Sequence, residues 1–295
     1  MEEAIKKSTV LIEALPYIKK FSNKVFVIKF GGSSLGDEIT RKHVLEDIVF
    51  MNYAGMKPIL VHGGGPLISM KMKEARKKPK FVDGLRVTDK KTMEIVDDAL
   101  SELNGLLVSE IKKFGPEAFG LSGKENKLLI AKKIEHEEYV GFAGTIESLD
   151  TTVLERLLDA DIIPVVCPVG IGADGDLYNV NADEAASRIA MALKAEKLFL
   201  LTNVRGIMKD KSDASTLYGS LSMADTDFLI EKGIVSEGMI PKTKACMNAL
   251  ENKVKKAHII DSNIQHALLL EIFTDQGIGT EITKLGRRTK ATEGS

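Results

Sequence analysis

Tryptophan is missing from this chain, and cysteine and aromatic residues are scarce. Aromatics make up 5% of the 295 residues, too few for a base-stacking platform on single-stranded nucleic acid. Lysine plus arginine total 41 against 42 acidic residues, so the basic footprint of a nucleic-acid binder is also missing. Two cysteines, Cys167 and Cys246, cannot make a disulfide framework or a zinc site. They read as small apolar residues in a reduced compartment. No stretch approaches the roughly 18 continuous apolar residues of a membrane helix. The charged start, Met1 to Lys7, leads into no signal-peptide-like run. A soluble, cytoplasmic protein is expected, with neither nucleic acid nor membrane as partner.

What is present suffices for a large core, since apolar residues make up 44%. Short β-branched runs at 25–28, 58–61, 119–121, 162–166, 197–201 and 258–260 alternate with helical patterns at 40–54, 89–114 and 183–195. Runs apolar on both faces read as strands of a parallel sheet, and the alternation predicts an α/β sandwich. Residues 128–142 read as strand-rich, and Asp174-Gly175-Asp176 as a hairpin turn. Both are expected to form lids or rims rather than core. Residues 2–21 carry an imperfect helical stripe (Ile5, Leu11, Ile12, Leu15, Ile18, Phe21) that Pro16 is expected to kink or end. Such a helix packs on its own domain or reaches a neighbouring subunit. The polar tail after Ile282 is expected to fray.

Two glycine loops follow buried strands, and neither is a Walker A motif or a G-x-G-x-x-G fingerprint, which weakens the P-loop ATPase and Rossmann dehydrogenase readings. Ile28-Lys29-Phe30-Gly31-Gly32-Ser33 ends in backbone that an anion can approach closely. Lys29 sits among apolar neighbours and needs an anionic partner unless it snorkels to solvent. Val61-His62-Gly63-Gly64-Gly65-Pro66 places a row of N–H groups at a helix start, where the dipole favours negative charge. Asn181 is a helix N-cap candidate with Glu184 completing a capping box, which leaves Asn179 and Asp183 unexplained. Pro241 suits a helix start and puts Lys242 in a first turn, an unfavourable place for a cation unless a phosphate lies there too. Arg86, in Gly84-Leu85-Arg86-Val87-Thr88, is a fork for a carboxylate or a surface ion pair.

In this order, V-I-K-F-G-G-S, V-H-G-G-G-P, G-L-R-V-T, N-V-N-A-D and G-M-I-P-K resemble the amino-acid kinase family over about residues 24–282. The segment A-E-K-L-F-L-L-T-N-V-R-G-I-M resembles the family's nucleotide-side strand and loop. The resemblance implies a three-layer α/β/α sandwich with an open, mainly parallel sheet of about eight strands. It implies an amino-acid-substrate lobe at 23–195 and an ATP lobe at 196–295. The implied reaction moves the γ-phosphoryl of MgATP to the side-chain carboxylate of N-acetyl-L-glutamate, an early step of arginine biosynthesis. By resemblance Lys29 and Lys242 stabilise the transferring phosphoryl group, and Asp183 holds both. Gly31 and Gly32 serve the phosphates, Gly64 and Gly65 the substrate. Arg86 and Asn179 bind the substrate's α-carboxylate and acetamido end. Asn203, Val204, Arg205, Gly206, Ile207 and Met208, with Ile234, Val235 and Ser236, line the nucleotide. Mg²⁺ is carried by ATP rather than by a protein metal site. The family often has Asp where Asn203 stands. Phosphoryl transfer is mostly positioning and electrostatics, and a carboxylate acceptor needs no general base, consistent with the lack of a histidine-centred constellation.

Residues 1–22 resemble the oligomerisation helix of the family members that join dimers into hexamers, as trimers of dimers, and are inhibited by L-arginine. Tyr17, Lys197, His266, Glu271 and Gly277 are the arginine contacts this resemblance implies, with Glu271 answering the guanidinium. Asp261-Ser262-Asn263 departs from the Asp-Gly-Arg common before that last helix. A nitrogen-sensing regulatory protein partners some relatives, and nothing in the sequence indicates one here. Two alternatives stay open: a sister kinase acting on another acid such as acetylaminoadipate, and a catalytically silent arginine-sensing module. The presence of Lys29, Asp183 and Lys242 argues against the silent module.

Overall fold

The computed structural model describes residues 1–235, 238–274 and 277–285. Ser236 and the tail from 286 onward therefore lie outside the described residues. Along the chain run α1 (Glu2–Phe21), β1 (Val25–Phe30), α2 (Ser33–Gly36), α3 (Glu38–Tyr53), β2 (Lys57–His62), α4 (Gly65–Glu74), β3 (Phe81–Val82), β4 (Leu85–Arg86), α5 (Lys90–Lys113), β5 (Ala118–Ser122), β6 (Ile130–Lys133) and β7 (Ala143–Ser148). There follow α6 (Thr152–Asp159), β8 (Ile163–Cys167), β9 (Val169–Ile171), β10 (Leu177–Val180), α7 (Ala182–Ala192), β11 (Lys197–Thr202), β12 (Ser220–Ser222), α8 (Met223–Glu231), α9 (Ile240–Glu251), β13 (Lys256–Asp261), α10 (Ala267–Phe273) and β14 (Thr280–Thr283).

All six apolar runs become strands of one eight-stranded sheet, ordered β12-β14-β13-β11-β1-β2-β8-β5. Only the β13–β14 pairing in it is antiparallel. Alternate side chains of a strand face opposite ways, so β1 feeds two cores. Val27 packs with α7 and α9 residues such as Ile189 and Leu250. Phe26, Ile28 and Phe30 pack with α3, α5 and α10 residues such as Leu45, Leu107 and Leu268. Helices thus cover both faces, giving three layers. The chain leaves β1 toward β2 on one side and pairs β1 with β11 on the other. That change of direction opens a crevice at the strands' carboxyl ends, the usual ligand position in such sheets.

The two irregular stretches are more than rims. β6, β7, β9 and β10 close into a four-stranded barrel, and Leu129, Ala131, Ile146 and Tyr178 join the larger core. The Asp174-Gly175-Asp176 turn does link β9 to β10, which pair antiparallel. Tyr139 and Val140 form no strand; only Gly141 bridges, to Thr88.

Pro16 does not end α1, which continues to Phe21. The carbonyl crowded by this proline belongs to Ile12, on a stretch where Ile12 and Leu15 are 68% and 56% exposed. Water can satisfy the freed carbonyl there. The last turns anchor the helix, with Tyr17 edge-on to Phe273 at 6.0 Å and Phe21 edge-on to Phe26 at 5.6 Å.

The N-terminus of α10 is capped from another helix. His266, at φ 54°, makes no capping bond itself. Asp47 of α3 accepts from Leu268 N at 3.1 Å and pairs with His266 Nδ1 at 2.7 Å. Burial pushes the Asp47 carboxyl up to about 6, against the pull of His266 and the amides. The folded protein therefore holds this proton more tightly than the unfolded chain, whose value is near 3.8. Stability from this group falls as pH rises between those two values, and above about 6 the ionised carboxylate carries its full burial cost. Asp47→Asn keeps an acceptor for Leu268 N. It is expected to remove this contribution from a Tm-versus-pH curve between about pH 4 and 6. An unaltered slope in that window would refute the assignment.

Candidate active site

Strand alternation puts Lys29 on the same face of β1 as Val27, toward α7. Asn181 caps α7, accepting from Asp183 N at 2.8 Å and Glu184 N at 3.4 Å. The expected capping box does not close. Glu184 turns instead to β7, where it accepts from Thr145 Oγ1 at 2.6 Å and Ile146 N at 2.8 Å. The cap leaves Asp183, 5% exposed, pointing at two lysines. Lys29 Nζ lies 2.8 Å from Asp183 Oδ1, an ion-pair distance. Lys242 Nζ donates to Asp183 Oδ2 at 2.6 Å from the first turn of α9, where Pro241 opens the helix.

The three charges do not cancel. Burial pushes Asp183 up, but the two ammoniums outweigh it and hold the carboxylate below its usual range. Burial, with repulsion from Lys242, pulls Lys29 below its ordinary value despite Asp183. With all three groups ionised, one positive charge is left unmatched at the crevice, and both α7 and α9 start there.

The glycine loops meet beside this triad. A Cβ on Gly31 would lie 3.3 Å from Gly63 Cα and from Lys29 Nζ, so a side chain there would push the second loop and the ammonium back by a few tenths of an ångström. His62 supports the second loop, although the sequence reading gave it no role. Its Nδ1 lies 3.0 Å from Gly63 O, and its Nε2 lies 3.1 Å from Asn104 Nδ2, which also donates to Val165 O. Burial pulls His62 down to about 4, so it is neutral. Hydrogen bonding then fits a proton on Nδ1 and a lone pair on Nε2.

A cavity of about 280 Å³ opens from the triad, lined by Lys29, Gly32, Gly63 to Gly65, Arg86, Asn179, Asp183 and Lys242. Gly31 backs onto its neighbours rather than lining it. Arg86 is carried by a hairpin, β3–β4, turned by Asp83 and Gly84 at φ 47° and 79°. The Asp-Gly turn signal was available in the sequence and went unread. Arg86 is 7% exposed and sits 4.7 Å from the Phe81 ring across the hairpin. It donates to Gly65 O at 3.0 Å and Ser69 Oγ at 2.9 Å. No carboxylate among the described residues pairs with it, and burial pulls the guanidinium below its ordinary range. The surface ion pair considered from sequence is thus not what forms. Asn179 Nδ2 donates to Thr88 Oγ1 at 3.2 Å on the same rim. Ser69 and Phe81 are site neighbours that no sequence motif marked, and Thr88 stands in the G-L-R-V-T motif without a role assigned to it there.

A second, smaller cavity of about 100 Å³ is lined by Val204, Gly206, Ile207, Met208, Ile234 and Val235, with Lys211 and Met239. Two segments about 30 residues apart thus meet. Asn203 and Arg205 are exposed and do not line it. The five residues connected by resemblance to arginine lie around α10 and β11. Lys197 is buried, 5.4 Å from the Phe21 ring, and burial pulls it down to about 8 despite Glu271. Glu271 already accepts from Ile278 N at 2.7 Å and pairs with His258 Nδ1 at 2.8 Å. A Cβ on Gly277 would lie 3.0 Å from Glu271 Oε1. His266 faces Asp47 instead, and Tyr17 faces Phe273.

An anion-binding crevice at the strand ends of a doubly covered α/β sheet, with paired lysines and glycine loops, defines a phosphoryl-transfer protein. The model of the amino acid kinase family matches residues 24–261, and the chain belongs to that family. It is 50% identical over 283 residues to an acetylglutamate kinase of Caldanaerobacter subterraneus subsp. tengcongensis, covering 96% of this chain and 95% of that one. It is 46% identical over 299 residues to an acetylglutamate kinase of Aquifex aeolicus, covering 96% and 99%. Among solved structures, the N-acetylglutamate synthase of Neisseria gonorrhoeae complexed with coenzyme A and N-acetyl-glutamate superposes with TM-score 0.84 at 26% identity. That match covers 94% of this chain but only 63% of the synthase chain. The same synthase complexed with coenzyme A and L-arginine gives 0.80 at 26% identity, covering 94% and 65%.

Proposed function

We propose that this kinase transfers the γ-phosphoryl group of ATP to the side-chain carboxylate of N-acetyl-L-glutamate, giving an acyl phosphate. The observation that carries the reading is the unmatched positive charge of Lys29 and Lys242 around Asp183, in a cavity that also holds an unpaired Arg86. The relatives named acetylglutamate kinase, matched over nearly their whole length, support the acceptor. Catalysis here is charge stabilisation and alignment. Lys29 and Lys242 face the transferring group, and Asp183 fixes them so that no reorganisation is needed. The Gly64 and Gly65 amides at the start of α4 face acceptor oxygens. Arg86 takes the α-carboxylate and Asn179 the acetamido end. Val204, Gly206, Ile207 and Met208 with Ile234 and Val235 hold the nucleotide.

The cleft fits a polyanion by its net charge and by the glycines Gly32, Gly64 and Gly65 in its lining, while the Gly63 amide is spent on Phe30 O at 2.8 Å. Among the described residues no group of three or more His, Cys, Asp or Glu could hold a metal ion. Mg²⁺ enters this reading on the triphosphate, where it neutralises charge. Residues 23–195 form the acceptor lobe and 196–295 the nucleotide lobe; a biosynthetic kinase of this kind fits the cytoplasm. A coupled ATP-consumption assay with N-acetylglutamate, glutamate, aspartate and acetylaminoadipate tests the proposal. N-acetylglutamate should give the highest kcat/KM. Preference for acetylaminoadipate would make this the sister kinase, and no turnover with any acceptor would leave the silent module.

Residues 1–22 form the contact of a hexamer in this reading, built as a trimer of dimers. Val10, Leu11, Ile12 and Leu15 on α1 are 62%, 69%, 68% and 56% exposed, an apolar face without cover in the protomer. L-arginine is the proposed inhibitor, bound near Tyr17, Lys197, His266, Glu271 and Gly277. A guanidinium there shares Glu271 with His258 and backbone amides. Deleting residues 1–22 is expected to convert hexamers to dimers by sedimentation and to weaken arginine inhibition. Unchanged sensitivity in the truncated chain would remove the helix from regulation.

A further inference from the structure

The loop between β11 and β12 carries one wall of the smaller cavity, and it is tied to β14 at two points. Ile207 N donates to Thr280 Oγ1 at 2.8 Å, and Glu281 N donates to Gly219 O at 3.0 Å. The first tie acts at the cavity wall, since Gly206, Ile207 and Met208 line it. Thr280 is 0% exposed and Ile207 3%, so water cannot replace that hydroxyl. Gly206, at φ 147°, presses on the same atom: a Cβ there would stand 2.5 Å from Thr280 Oγ1.

Thr280 follows directly on residues gripped by a buried carboxylate. Glu271 accepts from Ile278 N at 2.7 Å and from Gly279 N at 3.3 Å. Its other oxygen pairs with His258 Nδ1. Gly279 is packed so tightly on β13 that a Cβ would lie 2.4 Å from Ile259 O. Residues 278–280 are thus held at one end by Glu271 and hold the loop at the other. The segment is too tightly packed to absorb a shift at Glu271 without passing it on.

We propose that Thr280 is a positioning residue for the nucleotide, and that Glu271 acts on the nucleotide pocket through it. This rests on reading the cavity around Ile207 as the nucleotide's. Neither side chain lines that cavity. Both set where the Gly206–Met208 backbone stands, and a change of charge or ligand at Glu271 reaches ATP binding by that route.

Steady-state kinetics on the full chain test this. Thr280→Val keeps the size and removes the acceptor. It is expected to raise KM for ATP about tenfold, a buried hydrogen bond's worth. KM for N-acetylglutamate and kcat at saturating ATP should stay within about twofold, and Thr280→Ser should restore the parent value. Glu271→Gln is expected to raise KM for ATP in the parent and to add nothing in the Thr280→Val background. Additive effects overturn the link to Glu271. Equal losses toward both substrates, with no rescue by serine, make Thr280 merely structural and overturn its role. Should Thr280→Val not fold, Thr280→Cys, with its weaker acceptor, carries the same comparison. Val204→Trp, which fills the cavity, separates the two readings. If it raises KM for ATP and Thr280→Val does not, only this inference falls; if neither does, the pocket assignment falls too.

Discussion

Replacing Lys29 or Lys242 by methionine is expected to lower kcat by about 10²- to 10³-fold, the usual cost of one preorganised charge-stabilising donor. Stability should change little or rise, because each replacement removes a like charge from a buried cluster that holds two ammoniums against one carboxylate. Asp183→Ala is expected to behave differently. It leaves two lysines facing each other with nothing between them, and breaking a buried pair from one side costs about 3–5 kcal/mol. Both activity and stability fall. Adding Lys29→Met to Asp183→Ala should then recover part of the lost stability while leaving activity low, because the orphaned buried charge is gone. Urea unfolding and saturating kinetics on the four variants check this. A Lys29→Met enzyme with parental kcat would remove the lysine from the reaction.

Arg86→Ala is expected to lower kcat/KM for N-acetylglutamate by at least about 30-fold, since losing one partner of a buried charge pair costs about 2–5 kcal/mol. KM for ATP should hold. Arg86→Lys should recover little, because the site has the geometry of a planar fork. Arg86 stacks by Phe81 and donates to Gly65 O and Ser69 Oγ, and an ammonium matches that set poorly. The sharper comparison uses an acceptor whose α-carboxylate is an amide. The parent should lose activity on it, and Arg86→Ala should lose nothing further. Independent, multiplying losses would mean that Arg86 does not meet that carboxylate.

The main sheet was legible because its strands are buried on both faces and read as continuous apolar runs. β12 (Ser220–Ser222) and β14 (Thr280–Thr283) escaped that reading: they are short, each carries a single apolar residue, Leu221 and Ile282, and β12 is the edge strand. The barrel was mistaken for rims because its strands are brief and each contributes at most two residues to a core assembled elsewhere. Glu184 was assigned to a capping box because sequence spacing sees only its own helix. In the fold, β7 offers it a hydroxyl and an amide at closer range. Pro16 was expected to kink or end α1 because propensity ignores solvation, and the helix does not end there: the freed carbonyl lies on a wet stretch.

The sequence alone determined the chemistry on offer: lysines and glycine loops at strand ends, an arginine open to a substrate carboxylate or a surface ion pair, and no histidine-centred constellation. Those are local properties, written in residue type and in spacing over a few positions. Tertiary structure alone decided that Lys29, Asp183 and Lys242, spread over more than 200 residues, share one ion cluster with a net positive charge. It also decided that Arg86 has no carboxylate partner among the described residues, and that Thr280 holds the backbone at Ile207. Charge balance and satisfaction of buried donors depend on which atoms lie within about 3 Å, and only the packed chain sets that distance.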